Sequence, residues 1–257
     1  MSGPELVTVY DSQGSAYEHS FQVFLDHTDQ KVKAREWLSR QVRSLQSRRV
    51  FVDAGAGNGT VTAWHLDQFQ RTVAIEPNPY LRGELRRACP AAEVSPATIL
   101  DAPLSSQGSL VLCSHVFYYL ERATWISHLE TLASWLAPDG VLIVVLQNPA
   151  TDCMRMVRHF LGARFDLSEL AARFGACCGD RYDVSIETVP ARVATPDFEA
   201  AYTVAEFMLN LLPMPEPPVR AALEEYVRRE LAVADGGYRF SCDQDFLQIR
   251  PRPATGG

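Results

Sequence analysis

Residues 50–60 read VFVDAGAGNGT, and their order decides the fold. Val50, Phe51 and Val52 are apolar and rich in β-branching, which marks a strand buried on both faces. Asp53 follows, and glycines then stand at 55, 57 and 59. Glycine on alternate positions lets a backbone pass close to a ligand where no Cβ would fit. The spacing is GxGxG; the dinucleotide fingerprint GxGxxG would need glycine at position 60, which is Thr60. The turn is therefore expected to serve a ligand that brings no pyrophosphate.

The next expected strand, TVAIEP, ends at Glu76 and Pro77, with Glu76 twenty-three residues after Asp53. A carboxylate at that distance can accept two hydrogen bonds from a ribose. Strand, glycine turn and acidic partner in register point to a nucleoside cofactor without a pyrophosphate. S-adenosyl-L-methionine is the candidate.

Composition narrows the setting. The 257 residues are 47% hydrophobic, enough for one α/β domain with a small appended lobe. A formal charge of −7 argues against nucleic acid, because neutralising phosphates needs clustered Lys and Arg. The stretches RRV and LRRACP are short and read as solvated helix ends. No basic start leads into an apolar stretch and no run reaches bilayer length, so a membrane is not expected. The six cysteines show no CxxC or His-paired spacing. Adjacent Cys177 and Cys178 suggest a metal, but nothing nearby in the sequence completes a ligand set. The expectation is a reduced, metal-free cytoplasmic protein, monomeric or homodimeric, that handles small molecules.

Residues 1–15 are polar and are expected to be mobile. One long helix is expected from Ser15 to about Arg43, because Tyr17, Phe21, Phe24, Leu25, Trp37 and Leu38 recur at helical spacing. Strands are then expected at 49–53, 72–76, 92–95, 109–114 and 140–146, with helices at 59–68, 79–88 and 122–136. Ala137-Pro138-Asp139-Gly140 reads as a helix end and turn before the last strand. Such alternation predicts an α/β, Rossmann-like, mostly parallel seven-stranded sheet with helices on both faces. Later helices are expected at 152–161, 167–174, 198–211 and 216–233, and strands near 184–189 and 245–250. The proline-rich LLPMPEPP at 211–218 fits a lid over the carboxyl edge of the sheet, where open α/β sheets bind ligands. The expected division is a helical cap segment at 1–48, a cofactor-binding core at 49–150, and a part at 151–257 that completes the sheet and lid.

These features together resemble a class I S-adenosylmethionine-dependent methyltransferase. The resemblance extends to the histamine N-methyltransferase group through YEHSFQVFLDHT at 17–28, LVLCSHVFYYL at 110–120, GARF at 162–165 and RFSCDQDFLQI at 239–249. It implies that Gly55, Ala56, Gly57 and Asn58 meet the amino-acid part of the cofactor. Glu76, followed by Pro77, would hold the ribose, and Thr98 would contact the adenine. Ser114 would line the methionine arm through its backbone, with His115 beside it. Asp53 either holds the cofactor ammonium, directly or through water, or orients the loop.

The resemblance also exposes departures. The acidic residue that receives the amine in the histamine enzymes corresponds to Gln30, and its amide partner to Cys242. Two large aromatic positions correspond to Met154 and Arg158, and a polar substrate contact to His115. With a carboxylate and an amide both replaced, histamine is not the expected substrate.

What stays is aromatic: Tyr17 and Phe21, Tyr118 and Tyr119, and Phe207. Aromatic faces attract a cation by roughly 0.5–2 kcal/mol each, and a sulfonium is such a cation, although the same rings could be core. His115 could orient or deprotonate a nucleophile, or it could be a strand-end histidine bonded to a carbonyl. Asn148-Pro149 reads as a turn, with Asn148 a candidate substrate contact beside Tyr17, Phe21, Gln30, Phe207 and Cys242. Three functions follow from this reading. The first is methyl transfer to a small amine or related metabolite. In the second, the cofactor's own amine closes on its γ-carbon to give azetidine-2-carboxylate and methylthioadenosine, as enzymes resembling methyltransferases do. The third is a binding module that does not turn the cofactor over.

Overall fold

A computed structural model describes residues 3–11, 14–103, 107–234 and 236–253. Its strands are β1 (Val50–Ala54), β2 (Arg71–Ile75), β3 (Glu93–Ser95), β4 (Gly108–Ser114), β5 (Leu136–Gln147), β6 (Tyr182–Val189), β7 (Arg192–Thr195), β8 (Tyr238–Ser241) and β9 (Gln244–Pro251). The described residues fall into two compact units that alternate along the chain. One takes 35–146, 166–187 and 245 onwards; the other takes the residues up to 34, 147–165 and 188–244.

The first unit is built on a seven-stranded sheet in the order β3-β2-β1-β4-β5-β9-β6. β1 is buried along its whole length, as the unbroken apolar run requires of an interior parallel strand. Val52 lies opposite Val73 on one side and Val111 on the other, both in parallel register. β2 and β3, and β4 and β5, also pair in parallel. The strand order reverses between β1 and β4, so the loops after those strands flank the switch point where such sheets bind ligands. Helix α2 (Gln30–Ser44) from residue 35 on, α3 (Thr60–His65), α4 (Pro79–Ala88), α5 (Trp125–Ser134) and α7 (Leu167–Cys178) belong to this unit with these strands. Asn78 starts α4 by accepting from the backbone N–H groups of Tyr80 and Leu81, with Pro79 next in line. Phe51, Leu110, Leu112, Leu129 and Phe174 are fully buried, and Trp37 packs on Phe246 at 4.2 Å between ring centres. Burying each such side chain contributes about 1.5–3 kcal/mol.

The second unit holds α1 (Ser15–His27), α6 (Asp152–Leu161), α8 (Phe198–Leu209), and α9 (Arg220–Tyr226), which continues into a π-turn at Val227–Leu231. β7 and β8 form an antiparallel pair with Val193 opposite Phe240.

The expected sheet is present, and several details differ from the sequence reading. The long helix from Ser15 to Arg43 is two helices. Thr28 is extended (φ −118°, ψ 145°) and bridges to Val193, while its hydroxyl donates to the Arg192 carbonyl and accepts the Gln30 N–H. Residues 3–11 are fastened rather than a mobile tail, while 1, 2, 12 and 13 lie outside the described residues. Val7 is buried and donates its N–H to the Pro218 carbonyl, and Tyr10 hydrogen-bonds Glu206. Ala137–Gly140 lie inside β5 rather than ahead of it and form a bulge there, because Leu136 already pairs with Gly108 and a register shift then brings Val141 opposite Leu110. β7 and β8 have no counterpart in the sequence reading, and the helix expected at 216–233 is the shorter α9 with its π-turn. No helix among the described residues is long and apolar enough to cross a membrane.

Candidate active site

In the sheet unit, the residues expected to hold a cofactor follow the carboxyl ends of β1 to β4. Gly55, Gly57 and Gly59 all have left-handed backbones, with φ of 83°, 57° and 87°. Packing accounts for two of them. A Cβ on Gly55 would overlap the Val116 side chain, and one on Gly59 would lie 2.9 Å from Leu85 Cδ1 and 3.2 Å from Cys89 Sγ. A Cβ on Gly57 would meet no atom within 4 Å. Packing therefore does not demand glycine at 57, and its left-handed backbone does; the open space above it leaves room for a ligand. The N–H groups of Gly55 and Ala56 both donate to the Ile75 carbonyl at 2.8 and 3.0 Å. Asn58 accepts from the Thr60 N–H and hydroxyl, which starts α3.

Glu76 is 6% exposed. Its Oε2 accepts the Gly57 N–H at 2.9 Å and its Oε1 accepts the Asn78 N–H at 2.8 Å. Each carboxylate oxygen has a second lone pair, which is what the two hydroxyls of a ribose require. The Pro77 carbonyl accepts from Arg82. Asp53 is buried, and its Oδ2 accepts the Thr62 hydroxyl at 2.6 Å. Burial pushes its carboxyl up to about 6, the Thr62 bond opposes the rise, and repulsion from Glu76 adds to it. The Thr62 bond ties Asp53 to α3, in keeping with the loop-orienting alternative.

Thr98 is exposed and donates to Asp101 at 2.6 Å. Ser114 closes β4 opposite Val145. His115 has φ 60°, the left-handed region that costs a non-glycine residue about 1–2 kcal/mol. No other described non-glycine residue has a positive φ. Its N–H donates to the Val145 carbonyl and its ring stacks on Tyr118 at 5.8 Å. Strain of this kind at a strand end is a common companion of function. Tyr118 is buried, whereas Tyr119 is 64% exposed.

In the second unit, α1 and α8 bring aromatic rings together. Phe207 has Tyr17, Phe21 and Phe24 at 5.6, 5.5 and 5.5 Å. Phe24 and Phe207 are buried; Tyr17 and Phe21 are half-buried, and burial raises the Tyr17 hydroxyl above its usual value. Gln30 is buried and its Nε2 donates to the Cys242 carbonyl at 2.9 Å. The Cys242 thiol, 3.5 Å from the Thr28 hydroxyl, is pushed up to about 12 by burial, against the Thr28 hydrogen bond. The Asn148 N–H donates to the Asp243 carbonyl and its Oδ1 accepts the Ala150 N–H, so the turn before α6 uses its amide oxygen. Met154 is buried and Arg158 exposed on α6.

Sequence reasoning missed two contributors. Val116 fills the space that glycine at 55 leaves. Glu206, buried in the apolar α8, accepts from Tyr10 at 2.6 Å and from the Tyr202 hydroxyl and Thr8 N–H at 3.0 Å each. Its negative charge and the burial of both phenols hold Tyr10 and Tyr202 well above the usual tyrosine range. A carboxylate inside VAEFML was the only sign of that network in the sequence.

No curated protein matches this chain. Among solved structures, a putative methyltransferase from Bacillus halodurans is 12% identical with a TM-score of 0.60, over 94% of this chain and 100% of that one. The N-methyltransferase NodS from Bradyrhizobium japonicum, in complex with S-adenosyl-L-homocysteine, is 14% identical with a TM-score of 0.55, over 93% and 100%. A protein of unknown function from Deinococcus radiodurans is 20% identical with a TM-score of 0.55, over 84% of each chain. At these identities the likeness is one of fold. A methyltransferase domain family matches residues 25–195, well over half of the sequence. The chain belongs to that methyltransferase family, and S-adenosylmethionine is its cofactor.

Proposed function

We propose that this methyltransferase passes the sulfonium methyl group of S-adenosylmethionine to a small amine or related metabolite other than histamine. The observation that carries the acceptor class is the packing of Tyr17, Phe21 and Phe24 around Phe207. Tyr17 and Phe21, the half-buried pair, suit an apolar or cationic amine, and each such ring contributes roughly 0.5–2 kcal/mol to holding a cation. On this reading Gly57 and its neighbours receive the methionine part, Glu76 the ribose and Thr98 the adenine. Ser114 and His115 line the methionine arm, and His115 orients the nucleophile or takes its proton. Tyr118 is the buried member of the tyrosine pair. Gln30 and Cys242, the two positions that the resemblance pairs, lie side by side: Gln30 Nε2 donates to the Cys242 main-chain carbonyl. A neutral amide at position 30 offers no charge to a primary ammonium, which argues against histamine.

The same Gln30–Cys242 bond favours a second reading. Gln30 is held by the main-chain carbonyl of Cys242 and is uncharged, so no external amine need be anchored there. The cofactor's own unprotonated amine would then attack its γ-carbon. A C–N bond forms, the C–S bond breaks with its electron pair going to sulfur, and the positive charge passes to the ring nitrogen, which keeps both hydrogens as an ammonium. The products are azetidine-2-carboxylate and methylthioadenosine.

Incubation of the purified protein with S-adenosylmethionine alone, and then with a metabolite extract, separates these readings by mass spectrometry. S-adenosylhomocysteine formed only with extract supports methyl transfer. Azetidine-2-carboxylate and methylthioadenosine formed together from the cofactor alone, above a protein-free control, replace that reading with cyclisation. No product in either leaves a binding module.

A further inference from the structure

We propose that Cys177, Cys178 and Glu130 form a binding site for a thiophilic divalent cation of the zinc or cadmium type. The sequence showed only the adjacent cysteines, at the end of α7. The fold supplies the missing third ligand from α5, forty-seven residues earlier than Cys177. The Cys177 and Cys178 sulfurs are 3.2 Å apart, and Cys178 Sγ is 3.7 Å from Glu130 Oε1. All three potential ligand atoms lie within 4.8 Å of one another.

A tetrahedral zinc with sulfur at about 2.3 Å and carboxylate oxygen at about 2.1 Å separates them by about 3.6 Å, and two sulfurs by about 3.8 Å. The Cys178–Glu130 pair already has that separation, and Cys177 lies within 4.8 Å of the carboxylate. The sulfurs need to open by about half an ångström, which the exposed Cys177 can do by turning about its Cα–Cβ bond. Two thiolates and one carboxylate suit a borderline-soft cation better than magnesium or calcium. Binding releases the two thiol protons to solvent.

The surroundings balance the charge. Arg181 Nη2 lies 3.3 Å from Cys178 Sγ. Alone it would oppose a cation, but three anionic ligands, one divalent ion and one guanidinium sum to zero. The carboxyl end of α7, where both cysteines sit, also carries the negative end of the helix dipole. Three protein ligands leave a fourth position for water, so the site is one of exchange rather than a closed structural centre. None of these residues belongs to the cofactor loop or to the aromatic group.

The test is a titration of the reduced, metal-stripped chain with cadmium, following the thiolate-to-cadmium charge-transfer absorption. One saturating equivalent is expected. Cys177→Ser should weaken binding by at least tenfold and lower the absorption, and Glu130→Gln should weaken it about tenfold while keeping the absorption. Both positions are exposed, so each variant should unfold at the wild-type temperature without metal and bind S-adenosylmethionine normally. Cys89, Cys113, Cys153 and Cys242 are buried, so loss of the signal in Cys177→Ser, not the thiol count, identifies the site. The proposal is overturned if the wild type shows no saturable absorption, or if Cys177→Ser gives the same titration.

Discussion

The backbone N–H of Gly57 donates to Glu76 Oε2 at 2.9 Å, so the turn after β1 is locked to the end of β2. The carboxylate assigned to the ribose therefore also shapes the loop assigned to the methionine part. Glu76→Gln keeps one acceptor oxygen and turns the other into an N–H₂ facing a backbone N–H. Losing one hydrogen bond to a charged group costs roughly 1.5–3 kcal/mol. Titration calorimetry should show S-adenosylmethionine binding weakened by roughly 10- to 100-fold, with little change in far-ultraviolet circular dichroism.

The three glycines of the turn should separate by role. Gly55→Ala drives a Cβ into Val116 and should cost stability, about 2–5 kcal/mol from overlap and backbone strain together. Gly57→Val meets no protein atom at its Cβ and should stay folded with a loss of about 1–2 kcal/mol. It should nonetheless lose cofactor binding. Thermal unfolding beside a binding titration checks both, and normal binding by Gly57→Val would show the loop assignment to be wrong.

Asp53 should give stability a specific pH dependence. Its folded value of about 6 lies above the ordinary 3.8, so the folded state holds the proton more tightly than the unfolded chain. The contribution is full below about pH 3.8 and is lost as pH rises through 6. Asp53→Asn keeps an acceptor for Thr62 and removes the titration. The variant's unfolding free energy should therefore gain on the wild type between pH 4 and 6, by on the order of 2 kcal/mol. Parallel urea curves across that range would show it, and a constant difference would contradict the assignment.

Tyr10 should act as a fastening for the N-terminal segment. Its hydroxyl donates to the buried Glu206 at 2.6 Å. Tyr10→Phe should cost roughly 1.5–3 kcal/mol in urea unfolding and speed amide exchange at Val7 and Thr8. Unchanged exchange would mean that the backbone bonds alone hold the segment.

How much was legible in advance depended on how local the signal was. VFVDA announced β1 because a strand buried on both faces needs an apolar run, and RTVAI announced β2 through Val73, Ala74 and Ile75, although its burial alternates at the start. Glu76 stood out because the register of a parallel pair puts the end of β2 beside the end of β1. The break at Thr28 was hidden, since Phe24 and Trp37 keep helical spacing across it while belonging to different units. Its cap forms only with Arg192 present, a partner 164 residues away. β7 and β8 are four residues each and have strand character only through each other. The separate roles of Gly55, Gly57 and Gly59 rest on Val116, Leu85 and Cys89, which only tertiary packing brings to the loop. Tyr118 and Tyr119 look alike in sequence, yet one is buried and the other exposed.

The central claim is methyl transfer, and the fate of the methyl group tests it most directly. Protein supplied with S-adenosylmethionine deuterated in its methyl group, together with a fraction containing the acceptor, should yield unlabelled S-adenosylhomocysteine and a metabolite heavier by one trideuteromethyl group. Label retained in methylthioadenosine, with no labelled metabolite, would contradict the account.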